Sequence, residues 1–295
     1  MLKTYGIFRI IGNDLKRNAT GRTIQNLEFI LAHETDFPNC MKTWILNRIL
    51  DPEVERRLIE AIEVRAQRFF RIAHDREAAA APASSRRERI CTVIGINQAR
   101  NVALSEGRKQ FDWTLPFDGH CFIPDAGWDE FIEIASAAER PYIVIGMERV
   151  QTYRDALLSG TRPKCEELWE GKGWSAVEPQ LAFHHTSTST FDESLPYGDR
   201  DKAELLVRLG VPGIWHEWER PGESSIRIES TSNAECAASF VHAGFVIRLP
   251  SGRPEADTNP LTRVLLRNIG LARLIARLDG RSETLARYIP EQHGT

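Results

Sequence analysis

The sequence predicts an α/β protein with a mostly parallel central sheet flanked by helices. Three observations carry that prediction. The first half of the chain alternates short β-rich runs with segments of helical period, in the order β-α-β-α-β through Ile72. The strand-like runs close on Gly-, Asn- or Asp-containing loops, as at Gly12-Asn13-Asp14 and Asp118-Gly119. The 295 residues are 42% hydrophobic and 27% charged, which is enough apolar material for a sizeable core and ordinary for a globular protein.

Taken in order, Tyr5 to Ile11 is a compact strand. Thr23 is placed to cap a helix with Ile24, Leu27 and Leu31 on one face, since three- and four-residue spacings align on a helix. Lys42 to Ile49 reads as the second strand. Asp51-Pro52 opens a helix carrying Val54, Leu58, Ala61 and Ile62, with proline in the first turn where its missing N–H is harmless. Arg68 to Ile72 is the third strand, and the Ala-, Ser- and Arg-rich stretch 76–89 reads as a loop without an apolar face. Order returns at Cys91, followed by a helix within Asn97 to Gly107, a strand over Trp113 to Phe117, a helix striped by Trp128, Phe131, Ile132 and Ala135, and a strand over Tyr142 to Met147. About five strands are thus expected before residue 150.

The texture then changes. Trp169, Trp174, Trp215 and Trp218 fall in Gly- and Pro-interrupted sequence of the kind that forms binding surfaces. Leu261, Val264, Leu265, Ile275 and Leu278 mark a C-terminal amphipathic helical segment studded with Arg263, Arg267, Arg273 and Arg277. It is expected either to pack on the domain or to make peripheral contact with an anionic membrane. Three segments follow: 1–149, 150–260 and 261–295.

Charge and cysteine usage narrow the class. A net charge of −3 offers no global footprint for nucleic acid, so no nucleic-acid partner is expected. The 5 cysteines are odd in number and lack a CxxC pair, which argues against a disulfide framework or a zinc knuckle and for a reducing, cytoplasmic setting. The first apolar run is short and broken by Arg9, and nothing approaches the ~18 apolar residues of a membrane span. A cytoplasmic protein is expected, with the inner membrane face as its peripheral alternative.

The informative stretch runs from Gly95 to Trp128. An Asn97-Gln98-Ala99-Arg100-Asn101 helix start is followed by a strand ending in Asp118-Gly119-His120. Open parallel sheets bind ligands at the carboxyl ends of their strands, where Asp118 and His120 would project. A carboxylate and an imidazole so placed could share one divalent cation and leave positions for phosphate oxygens.

These residues resemble the GT-A glycosyltransferases, in particular the large family-two group that uses nucleotide-sugar donors. Ala99-Arg100-Asn101 and Phe117-Asp118-Gly119-His120 match that family's helix start and metal loop in order and spacing. The strand through Leu46-Asn47-Arg48, with Asp51 beyond it, stands where the family recognises the base. Phe191-Asp192-Glu193, then Gly198-Asp199-Arg200-Asp201 and Leu205 to Leu209, look like its later acidic block. The chain departs from the pattern at His120, where the family has an aspartate, and at Asn47, which replaces an acidic residue.

The resemblance implies a GT-A-like fold and a metal-assisted, inverting transfer from a nucleoside-diphosphate sugar to a saccharide or lipid-linked glycan acceptor. It implies Mn²⁺ or Mg²⁺ held by Asp118 and His120, donor contacts from Asn47, Asp51, Arg100, Asn101 and Asp118, and Asp201 or, second, Asp199 as catalytic base. Each residue has a structural alternative: a turn for Asp118, an ion pair for Arg100, a helix start for Asp199 and Asp201. Glu178 is a further acidic candidate on the acceptor side, and His184-His185 lack a partner at ligand spacing. A sugar-phosphate nucleotidyltransferase is disfavoured because Ile11 to Leu15 is not a Gly-rich basic loop. A non-catalytic carbohydrate- or nucleotide-binding protein of the same fold is the alternative from another class.

Overall fold

The computed structural model describes residues 2–15, 21–75, 77–78, 85–158, 178–199, 201–211, 239–253 and 259–279. In chain order these form β1 (Tyr5–Ile11), α1 (Arg22–His33), β2 (Cys40–Asn47), α2 (Pro52–Val64), β3 (Arg68–Ile72), α3 (Arg86–Ile94), α4 (Ile96–Arg108), β4 (Trp113–Asp118), β5 (Cys121–Phe122), α5 (Asp125–Ala137), β6 (Tyr142–Arg149), α6 (Tyr153–Leu158), β7 (Gln180–His184), α7 (Ala203–Arg208), β8 (Phe240–Arg248) and α8 (Pro260–Leu278).

The strands make one 8-stranded sheet in the order β3-β2-β1-β4-β7-β6-β8-β5. Neighbours β3, β2, β1 and β4 are parallel, β7 runs antiparallel between β4 and β6, β8 is parallel to β6, and β5 closes the edge in reverse. The expected α/β architecture with a mostly parallel sheet is therefore present. Strands from either side of residue 149 alternate within this one sheet.

Period-two alternation of the central strands builds both cores. Tyr5, Ile7 and Ile11 of β1 join Leu27 of α1, Leu58 and Ile62 of α2, and Trp128 and Phe131 of α5 on one face. Phe8 and Ile10 face the other way, onto Ala99 and Ala103 of α4. Further along that second face, Tyr142, Val144, Leu181 and Phe183 meet Leu205 and Leu206 of α7. The eighth helix packs Leu271 against Ile90 of α3 and Leu15, while Leu261 and Leu265 remain exposed. No helix among the described residues is long and apolar enough to cross a membrane.

Several local expectations shift. The carboxylate of Asp14, rather than Thr23, serves the start of α1, accepting from the backbone N–H groups of Gly21 and Thr23. The second strand begins two residues earlier than expected and stops at Asn47, because Arg48 takes a left-handed backbone conformation with φ 52°. The end of the 76–89 stretch is helical: Ser85 Oγ accepts from Glu88 N at 3.2 Å, a side-chain cap that outweighs the lack of an apolar face. The strand at Tyr142 continues to Arg149. All four tryptophans of the later region lie outside the described residues, as do residues 280–295.

Candidate active site at the carboxyl edge of the sheet

The site is built on the turn after β4. Gly119 donates its N–H to the Ile10 carbonyl at 2.9 Å, and a Cβ at this position would lie 2.7 Å from that same oxygen. Only glycine lets the chain pass so close to β1, and the passage aims Asp118 and His120 off the sheet. The far side of the loop is pinned as well. Cys121 pairs with Arg248 of β8, Leu249 donates to the His120 carbonyl at 2.9 Å, and Arg9 Nε donates to the Cys121 carbonyl at 3.0 Å. Arg9 is buried against Glu34, whose Oε1 also accepts from Ile123 N at 2.9 Å, and whose Oε2 lies 3.0 Å from Lys42 Nζ. A buried charge cluster under β1 thus fixes the loop above it.

The second component is the start of α4. Gly95, at φ 49°, ends α3 and opens α4 in one residue. The Arg48 guanidinium lies where a Gly95 side chain would be, and Arg48 Nη2 donates to Gln98 Oε1. In the first turn of the helix, Asn97 Nδ2 donates to the carbonyls of Asp192 and Asp201 at 2.7 and 2.6 Å. Asn101 makes a two-sided latch with Phe191: its Nδ2 donates to the Phe191 carbonyl and its Oδ1 accepts from Phe191 N–H, both at 2.9 Å. These two amides do for the 191–201 segment what a strand partner would do, satisfying its backbone without a ladder.

Between them sits Arg100, only 3% exposed. It donates to Asp118 Oδ1 at 2.9 Å, to Asp201 Oδ2 at 2.8 Å and to Asn97 Oδ1 at 2.8 Å, with its charge over the Phe191 ring at 5.3 Å. Lys202, also 3% exposed, places Nζ 3.8 Å from both Asp118 Oδ2 and Glu178 Oε2. Two buried cations are therefore enclosed by the carboxylates of Asp118, Asp201 and Glu178.

Their electrostatics separate the carboxylates. Burial pushes Asp118 upward, but Lys202, Arg100, His120 and Arg248 together hold it well below its ordinary value. It is a carboxylate at any physiological pH. Glu178 moves the opposite way: burial raises it, Asp201 and Asp118 add to the rise, and Lys202 and Arg100 only partly offset it. Arg100 is burdened by burial, yet Asp118 and Asp201 raise its pKa overall, so it stays charged. Paired titratable groups whose surroundings push them apart are a recurring property of functional sites.

The structure brings together four of the residues singled out in the sequence, Arg100, Asp118, Glu178 and Asp201, with His120 on the loop of Asp118. The ligand atoms of Asp118, His120 and Cys121 all lie within 4.8 Å of one another. Burial pushes the Cys121 thiol up to about 12, so it stays protonated. Asn101 serves as the Phe191 latch and also meets Glu193 Oε1 at 2.9 Å. Asn47 is buried on β2 and donates to the Ile94 carbonyl at 2.7 Å. Asp51 caps α2 through the N–H groups of Glu53 and Val54. Asp199 stands apart, nearly half exposed and 3.8 Å from Arg87.

Lys202 and Asn97 carry no sequence signal of their own for this role, although Lys202 directly follows Asp201 and Asn97 opens the same motif as Arg100. At the opposite edge of the sheet, His184 and His185 gain a neighbour that sequence spacing hid. Asp112, just before β4, lies with both imidazoles within 4.8 Å.

No family model matches the chain, and no curated protein does. Among solved structures, a protein described as "Crystal Structure of a Mycobacterial Protein" is 13% identical, with a TM-score of 0.40 over 95% of this chain and 75% of that one.

Proposed function

We propose that the chain is a GT-A-type glycosyltransferase that moves a sugar from a nucleoside-diphosphate donor to a saccharide or glycoconjugate acceptor with inversion. One observation carries the reading. Arg100 binds Asp118 and Asp201 at the same buried point, so three motif pieces separated by up to 101 residues converge on the carboxyl edge of the sheet. A structural ion pair alone would not need the accompanying Lys202 and Glu178, nor a glycine that turns the loop outward.

The residues fit a divalent cation. Asp118 is held ionised, its Oδ2 has no hydrogen bond to Arg100, and His120 lies within ligand reach; the protonated Cys121 thiol is the poor donor of the three. Asp118 and His120 would hold Mn²⁺ or Mg²⁺, which when bound supplies Lewis-acid stabilisation of the departing diphosphate. Lys202 contributes a second fixed positive charge beside the same carboxylate. Arg100 orients Asp118 and keeps it charged.

Glu178 is the better base. Both oxygens of Asp201 are committed, Oδ1 to Gly198 N–H at 2.9 Å and Oδ2 to Arg100, which makes Asp201 a positioning residue. Glu178 is three-quarters buried with a raised pKa, near Lys202 and at the amino end of β7. It would accept the proton of the acceptor hydroxyl as that oxygen attacks the anomeric carbon and the bond to the diphosphate breaks.

The test is binding and slow hydrolysis of a panel of nucleoside-diphosphate sugars with Mn²⁺ or Mg²⁺. At least one donor should bind and turn over, and Asp118→Asn should abolish metal-dependent turnover while leaving the fold intact. No binding by any donor would overturn the proposal. The two cations already beside Asp118 favour one second reading, a protein that binds the donor without catalysis. Donor binding that is unchanged by chelator, with no hydrolysis, identifies that case.

A further inference from the structure

A cleft of about 300 Å³ opens where α1 begins, where α6 begins and where the chain leaves β8, lined by Arg22, Thr152, Tyr153, Pro250 and Arg253 among others. Among the described residues, none that lines it is acidic. Arg22 is built into position: Nη1 donates to the Tyr153 hydroxyl at 3.1 Å, and the guanidinium lies over the Tyr153 ring at 5.4 Å. That ring is in turn stacked on Phe29, with centroids 4.8 Å apart and planes at 21°, and its hydroxyl donates to Asn26 Oδ1 at 2.8 Å. Asn26 Nδ2 reaches the Pro250 carbonyl at 3.4 Å, which joins the two walls.

Among the described residues, the charge of this cleft has no ion-paired counter-charge. The Nε atoms of Arg22 and Arg253 are buried without a hydrogen-bond acceptor, and among the described residues neither guanidinium is ion-paired to a carboxylate. The nearby carboxylates have other work. Asp14 accepts from Gly21 and Thr23, and Asp155 accepts from Thr152 N. A guanidinium withdrawn from water needs an acceptor, and its planar fork is matched by the oxygens of a phosphate. The cleft also adjoins the catalytic loop, since Pro250 follows the Leu249 whose N–H holds the His120 carbonyl.

We propose that this cleft binds the phosphate monoester of a small substrate, with Arg22 and Arg253 as its clamp. Naming that substrate as the acceptor rests on the transferase reading above; the anion site itself does not.

Titration calorimetry in a phosphate-free buffer tests it, with inorganic phosphate, glucose 6-phosphate and glucose as probes and no donor or metal present. Both phosphates should bind and glucose should not. Arg22→Gln and Arg253→Gln should each weaken binding by about tenfold or more, while Asp118→Asn leaves it unchanged. Among the described residues Arg253 makes no hydrogen bond or ion pair, so Arg253→Gln remains informative if Arg22→Gln unfolds. Absence of binding by wild type, equal binding of glucose, exclusion of glucose 6-phosphate while inorganic phosphate binds, or indifference to both substitutions would overturn the proposal. Co-sedimentation with phosphatidic acid vesicles, lost in Arg253→Gln, would assign the phosphate to a lipid headgroup; binding of glucose 6-phosphate without sedimentation assigns it to a soluble sugar. Phosphate binding that survives a failed donor panel would retain this site and dismiss the transferase.

Discussion

Replacing Arg100 by methionine tests the centre of the site. The change preserves much of the side chain's length but removes the charge and the hydrogen bonds to Asp118, Asp201 and Asn97. Two of these are charge-assisted, each worth about 1.5–3 kcal/mol, and removing one partner of a buried ion pair typically costs about 3–5 kcal/mol. The two routes together give a loss of roughly 3–6 kcal/mol near neutral pH, a large part of the ~5–15 kcal/mol that holds such a protein folded. The sign with pH follows from Asp118. Its folded-state pKa is depressed, so its stabilising contribution is present above its ordinary value of 3.8 and is lost as pH falls through the depressed value. Without Arg100 the depression shrinks, so Asp118 contributes less stability and its acid loss is complete at a higher pH. Protonating Asp118 removes the penalty for leaving its charge unpaired, so the deficit of the variant should narrow as pH falls below the ordinary aspartate value of 3.8. Urea unfolding of both proteins at several pH values measures this. A deficit below about 1 kcal/mol at neutral pH, or one that stays constant down to acid, would refute the reasoning.

Other expectations follow from the same geometry. Glu178→Gln should lower kcat by about 10²–10⁴-fold and remove the acid limb of the pH–rate profile, which in wild type should lie above the ordinary glutamate range. Since the folded-state pKa of Glu178 is raised, ionising it opposes folding; the glutamine variant should match or exceed wild type in stability at neutral pH, as read by denaturant midpoint. Gly119→Ala places a methyl 2.7 Å from the Ile10 carbonyl, and should cost about 1–3 kcal/mol and disturb Asp118, seen as loss of donor binding at a temperature where the fold persists. Glu34→Gln strands Arg9 and Lys42 beneath the 118–121 loop, and should lower stability by about 3 kcal/mol in urea unfolding.

The sheet was readable in sequence where local signals and tertiary demand agree. β1 is apolar on both faces because it is central, and its run Tyr5 to Ile11 stands out even with Arg9 inside it. Strands β7 and β8 did not stand out. β7 is a 5-residue insert between β4 and β6, and its neighbours in the sheet lie far away in the chain. The same limit applies to the site. Asp118 and Arg100 could be placed from motif order, whereas the role of Asp201 turned on two hydrogen bonds that no spacing encodes. Glu178 and Lys202 are neighbours only because β7 enters the sheet beside β4. Asp112 and the paired histidines show the rule again: three potential ligands meet because β4 begins where β7 ends.

The arrangement of charge explains why such a site would be assembled from distant segments. With Arg100 and Lys202 against Asp118, Asp201 and an ionised Glu178, the cluster carries one net negative charge. Protonating Glu178 brings it to neutrality, and burial favours the state with less charge. A group that exchanges a proton for little change in a buried balance suits acid–base work, whereas Asp118, held by Lys202 and Arg100, resists protonation. A bound cation would reverse the sign of the balance and bring the raised pKa of Glu178 back down, readying it as a base only when the donor and its metal are in place. The measurable consequence is that the pH at which Glu178 ionises should fall when Mn²⁺ and a nucleoside diphosphate bind, visible as a shift of the acid limb between kcat/KM and kcat.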